Sequence, residues 1–127
     1  MKPYDTLTNH IVNPVNDAII IEVMDQPGPG GAHHEYRLRV KGKAGYRTIA
    51  FQKGPIGEVG VNGLTQEALL AIIEHRLECF QAGPFACDTN MKALLHTQLA
   101  LHFLKPRTRE RMARRRRRPN QSLISVN

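Results

Sequence analysis

The residues of this chain best suited to chemistry are six histidines, two cysteines, several clustered glycines and a dense run of arginine near one end. None of the usual catalytic spacings occurs. There is no GxSxG, no phosphate-loop GxxxxGK, no HExxH and no paired CxxC. His33 and His34 are adjacent, so on a strand their side chains diverge. His75 and Cys79 lie four apart and share one face of a helix. Two ligands fall short of the four that a structural zinc site needs. The pair reads as two ordinary side chains, and neither a metal nor a cofactor is expected.

Other groups are better suited to binding than to catalysis. The loop DQPGPGGAHHEY around Gly31, Ala32 and His33 could bring backbone amides to a phosphate. It lies between two strands, however, where a plain connection is the simpler reading. GPIGEVGVNG is similar, and Asn62–Gly63 reads first as a turn. The segment CFQAGPFACDTN is more distinctive. It sets Phe80 at the end of one helix and Asn90 in the first turn of the next. An aromatic ring can stack on a base, and an amide can read a base edge or a ribose hydroxyl. Read locally, Phe80 completes an apolar stripe and Asn90 caps the helix. Further on, RTRER sets Arg107 and Arg111 four apart, on one face of a helix if it persists. Two such guanidiniums suit a bisphosphate; a solvated basic helix end is the plainer alternative.

These groups have to be positioned by a β part followed by an α part. AIIIEVMD, residues 18–25, is β-branched and apolar and predicts a strand. HEYRLRV, residues 34–40, alternates apolar and charged residues with period two. YRTIAFQ, residues 46–52, pairs with it as a hairpin across KGKAG. Residues 54–63 form a loop with short strand character at Glu58–Val61. Thr65 is the expected N-cap of a helix over 66–81, which Gly83–Pro84 ends. A second helix begins near Asp88, and the short connection makes the two an antiparallel αα-hairpin. Its apolar residues Met91, Leu94, Leu95, Leu99, Leu101, Phe103 and Leu104 cover more than one face. One face serves its own core and the other a partner subunit. Pro106 should kink this helix or start a new turn. The fold class is therefore α+β, a small antiparallel β region followed by a C-terminal antiparallel αα-hairpin. Residues 1–17 form an N-terminal segment, 18–63 the β region, 64–113 the hairpin and 114–127 a basic disordered tail of one domain.

Composition narrows the function classes. The 127 residues carry 18 basic and 11 acidic side chains, a net charge of +7. Residues 107–118 hold eight Arg and one Glu, also +7, so the rest of the chain is neutral. A basic pI here describes one segment and not a nucleic-acid-binding surface of the whole domain. Nucleic-acid binding through Arg114 to Arg118 is the alternative reading. The N-terminus carries no apolar signal core, and no run approaches the roughly 20 apolar residues of a membrane span. Two cysteines do not make a secreted disulfide framework. A cytoplasmic protein with no membrane partner is expected.

Taken together, RLECFQAGPFACDTNMKALLH and RTRER resemble the helical hairpin shared by two phage immune-evasion families, the anti-CBASS cyclic-nucleotide sponges and Thoeris anti-defence protein one. DQPGPGGAHHEYRLRV followed by IAFQKGPIGEVGVNGLTQEALLAI is similar to the β region of the second. The resemblance runs from about Ile19 to Met112. It implies a non-enzymatic hexamer in the infected bacterial host, which sequesters cyclic ADP-ribose-type signals and in some members cyclic trinucleotides. Carried to matching positions, Phe80 would stack on adenine, Asn90 would hydrogen-bond the ligand, and Arg107 and Arg111 would hold phosphates. The loops at Gly30–His33 and Val61–Gly63 would line the pocket. Family members usually follow the RTxxR segment with a Gly-rich stretch, where this chain reads MARRRRRPN.

Overall fold

The computed structural model describes residues 2–117, with side chains up to Lys105. The chain divides into two compact units, one ending at Leu64 and the other beginning at Thr65.

The first unit is a four-stranded antiparallel meander in the order β1-β2-β3-β4. Its strands are β1 (Asp5–Leu7), β2 (Ile19–Val23), β3 (Glu35–Val40) and β4 (Arg47–Ala50). The alternation of HEYRLRV becomes two unlike faces. On one, Val23 pairs with Tyr36 and Ile21 with Leu38, and Tyr36 pairs in turn with Ile49. Tyr36 also meets Phe51 edge-on at 5.7 Å. On the other face Glu22 pairs with Arg37 and Ile20 with Arg39. The β2, β3 and β4 strands and the β3–β4 hairpin were all expected, with ends trimmed by one or two residues.

Three features of this unit were not anticipated. The 1–17 segment supplies an edge strand, β1, and a single helical turn, α1 (Pro14–Asp17), capped by the Asn13 side chain. Three residues carry too little pattern to reveal a strand; β1 exists because β2 offers it an edge. The strand character expected at Glu58–Val61 is absent. Ile56–Val59 is instead a helical turn, α2, that opens after Pro55 and closes at Gly60. Proline fixes φ for a helix start, and the glycine φ of 73° ends it.

The second unit is a helical hairpin of α3 (Gln66–Gln81) and α4 (Asp88–Arg117). The Thr65 hydroxyl accepts from the Ala68 amide at 3.1 Å, the expected N-cap. Leu94 and Leu101, seven residues apart on α4, are buried, whereas Leu95 and Leu99 are exposed. Pro106 does not divide α4, which runs through it to Arg117. Residues 114–117, expected as tail, are thus helical in backbone; the remainder of the expected tail, 118–127, lies outside the described residues.

Candidate functional site

The turn between α3 and α4 is closely fixed. Gly83 donates its amide to the Phe80 carbonyl and Ala86 to Gly83. The Gln81 side chain accepts from the Cys87 amide at 3.0 Å, and the Cys87 sulfur accepts from the Asn90 amide at 3.4 Å. Side chains at the two helix ends are therefore held by local bonds that need no ligand.

Phe80 sits one residue before the end of α3 and is 42 % exposed. Local patterning had favoured a core role, but the ring is not sealed between the helices. The Arg76 guanidinium lies 5.7 Å from its centroid, a cation–π contact that orients an aromatic surface open to solvent. Nothing in the sequence singled out Arg76; its spacing of four from Phe80 is the signal that could have found it. Asn90 is half-buried in the first turn of α4. Phe85, in the turn itself, is strongly exposed.

Arg107 and Arg111 have helical backbone, and their side chains fall outside the described ones. Their position along α4 is informative. At 1.5 Å per residue, Asn90 and Arg107 lie about 25 Å apart on one continuous helix. Along the backbone of one hairpin, the amide and the arginine pair are therefore well separated.

In the first unit, Gly30 and Gly31 take φ of 74° and 78°, left-handed values that glycine adopts readily. The loop bonds to itself, with Gly28 donating to the Ala32 carbonyl and Gly31 to Gly28. Asp25 accepts from the His34 and Glu35 amides at 2.9 and 3.1 Å. Burial would raise the Asp25 carboxyl, but those amides and nearby His33 outweigh it and hold it below its ordinary value. His33 Nδ1 lies 2.6 Å from the Asp25 carbonyl, and its ring packs beside Tyr4. His34 is buried, and its Nδ1 has no hydrogen-bond partner.

Asn62 has a clear local role. Its side chain donates to the Lys53 carbonyl at 2.7 Å and accepts from the Lys53 amide at 2.9 Å. Gln52 completes the brace by accepting from the Asn62 amide and donating to Gly54 and Gly60. A Cβ at neighbouring Gly63 would stand 2.4 Å from the Phe51 carbonyl carbon, so that contact admits only glycine.

A buried carboxylate in the sheet escaped the sequence reading altogether. Glu22 lies within the apolar string of β2, yet it accepts from Arg37 Nε and Arg39 Nε, each at 3.2 Å. Burial would raise its carboxyl, but the two guanidiniums prevail and keep it below its ordinary value. Arg37 also lies over the Tyr46 ring at 4.9 Å. The network is paired internally and braces the sheet. Elsewhere the Cys79 sulfur lies 3.7 Å from His75 Nε2. Among the described residues no three His, Cys, Asp or Glu side chains gather as a metal site, and no helix is long and apolar enough to cross a membrane.

The arrangement defines a small α+β protein that presents an aromatic ring and an amide at a fixed hairpin end. No family model matches the sequence. It is 40 % identical over 88 residues to the protein named Thoeris anti-defense 1 of Bacillus phage SBSphiJ7, an alignment that covers 68 % of this chain and 61 % of that relative. The chain belongs to the Thoeris anti-defence family. It spans about three-fifths of the length of the curated relative it matches.

Proposed function

We propose that this protein is a phage-encoded counter-defence protein that binds a cyclic ADP-ribose-type signal and withholds it from the Thoeris effector, without cleaving it. The observation that carries the reading is the relationship to a phage protein whose name states an anti-Thoeris role. The hairpin end supports it. A half-exposed ring flanked by a guanidinium offers the stacking and charge that an adenine nucleotide would use. Phe80 stacks on the base, Asn90 hydrogen-bonds the ligand, and Arg107 and Arg111 neutralise phosphate. Within one chain the last pair is too far from the first, so copies assemble and each ligand draws on more than one. The loops at Gly30–His33 and Val61–Gly63 contribute backbone more than side chains, because Asn62 is already committed to Lys53.

A sponge works by mass action, so ligand must stabilise the folded state and come back unchanged. The test is a thermal-shift series of the full chain against cyclic ADP-ribose isomers and cyclic trinucleotides, followed by heat release and chromatography of the ligand. A rise in Tm with recovery of intact ligand is expected. A hydrolysed product would show an enzyme instead. Binding only to polynucleotides, lost on deletion of residues 114–127, would transfer the function to the arginine run.

A further inference from the structure

The β3–β4 hairpin is a second charged surface, distinct from the arginine run of α4. Residues 37–47 read RLRVKGKAGYR, with five cationic side chains and no acidic one. The chain outside residues 107–118 is neutral on balance, so this local excess is offset elsewhere, in part by Glu74 and Glu78 of α3. The pleat divides the hairpin's cations. Arg37 and Arg39 share the face of Glu22, and Arg47 pairs with Leu38 on the other. Lys41 and Lys43 stand in the turn beyond both strands. That turn is held by its backbone. The Lys41 amide donates to the Ala18 carbonyl at 2.9 Å and the Lys43 amide to the Val40 carbonyl at 3.1 Å.

The excess charge lies at the tip. Glu22 is shared between Arg37 and Arg39. Glu35 is on the same face, but four residues of extended chain put it about 14 Å from Arg39. Asp17 is next to Ala18 in sequence. Even so, Lys41, Lys43 and Arg47 have no ion-pair partner among the described residues. Tyr46 stands among these three cations, and it is 61 % exposed. The Arg37 guanidinium lies over its ring, 4.9 Å from the centroid. A cation on one face of the ring fixes its orientation and leaves the opposite face to solvent.

Lysines and an arginine alone would take any polyanion. The open ring narrows the choice, because it suits a planar partner that alternates with negative charge. Unpaired bases joined by phosphates have that chemistry. In a duplex the bases are already stacked on one another and cannot reach the ring. An acidic peptide would use the cations and leave the ring idle. A sheet face that carries an aromatic ring is a common platform for single strands.

We propose that the β3–β4 hairpin binds single-stranded nucleic acid, with one base stacked on Tyr46 and the flanking phosphates held by Lys41, Lys43 and Arg47. The site uses none of the residues assigned to the signal and does not rest on that reading. The arginine run of α4 adds charge for the same partner but no plane on which a base can stack.

Titration of the full chain with a short oligouridylate tests this, with two readouts. Tyrosine emission reports stacking, and the anisotropy of a labelled strand reports total binding. The wild type should bind with partial quenching of tyrosine. Tyr46→Ala should weaken binding about 5- to 150-fold. Tyr46→Phe should keep the affinity and lose the quenching. Lys41→Ala combined with Lys43→Ala should flatten the slope of log affinity against log salt by about 1.4, two phosphate contacts on a single strand. Unchanged circular dichroism would establish that the variants remain folded. Binding that none of these substitutions alters would belong to the arginine run and overturn the proposal. Absence of binding at low salt would overturn it as well. So would displacement by polyglutamate as effective, charge for charge, as by unlabelled oligouridylate, which would mark an acidic protein partner instead.

Discussion

Replacing Glu22 by Gln tests the account of the sheet most directly. The carboxylate is 6 % exposed and receives a hydrogen bond from each of two arginines. A hydrogen bond to a charged group contributes about 1.5–3 kcal/mol. Arg37, with 18 % of its side chain exposed, falls in that range; Arg39, at 42 %, is screened and counts as a surface pair of about 0.2–1 kcal/mol. Gln keeps the shape and one acceptor, so the variant should lose about 2 kcal/mol. For a unit of this size, urea sensitivity is about 1 kcal/mol per M. The midpoint should therefore fall by about 2 M. Tyrosine fluorescence follows it cleanly, because Tyr4, Tyr36 and Tyr46 all lie in the β unit. Protein concentration must be held fixed if copies associate. The pH dependence supplies an independent check. The folded Glu22 pKa lies below its ordinary value of 4.5. Its contribution is complete above that value and is lost as pH falls through the lower, folded one. The gap between wild type and Glu22→Gln should be constant from pH 7 to about 5 and close below about 4.5. Asp25 is lowered too, so the variant keeps a shallower acid limb. A midpoint shift under about 0.5 M, or identical acid limbs, would refute the reasoning.

Phe80→Ala should weaken signal binding by about 1–3 kcal/mol, roughly 5- to 150-fold, with little change in helicity, since the ring is 42 % exposed. Calorimetry on the folded variant checks it, and unchanged affinity would remove Phe80 from the site. Asn62→Ala should cost about 1–2 kcal/mol by breaking two bonds to Lys53. Intact stability with lost ligand affinity would instead make Asn62 a ligand contact.

Much of the architecture could be read in advance, wherever the signal was local. The Thr65 cap and the Gly83–Pro84 stop bounded α3 at its observed ends, because capping and chain-breaking act within a turn. The alternation in HEYRLRV named the two faces of β3, because the pleat has period two. Other features depended on contacts distant in sequence. β1 owes its existence to the open edge of β2. Glu22 looked like an intruder in an apolar strand until Arg37 and Arg39, 15 and 17 residues later, came into register beside it. Glu58–Val61 suggested short strand character, but Pro55 and Gly60 made Ile56–Val59 a helical turn.

The hairpin end shows the same division. Residue types allowed Phe80, Asn90, Arg107 and Arg111 to hold a phosphorylated base, but read locally they suited plain structural roles, and the family resemblance singled them out. Only the folded chain decided that Phe80 lies half-open beside Arg76, and that α4 passes through Pro106 without a break. Periodicity gives the side of a helix on which a residue stands, and it had shown that α4 is apolar on more than one side. It cannot say which side another element will cover, since that depends on where α3 packs. Sequence thus determined the chemistry and the helical spacing. Tertiary structure decided which apolar face of α4 was buried and which was left bare, and that Asn90 and Arg107 stand on one continuous helix about 25 Å apart.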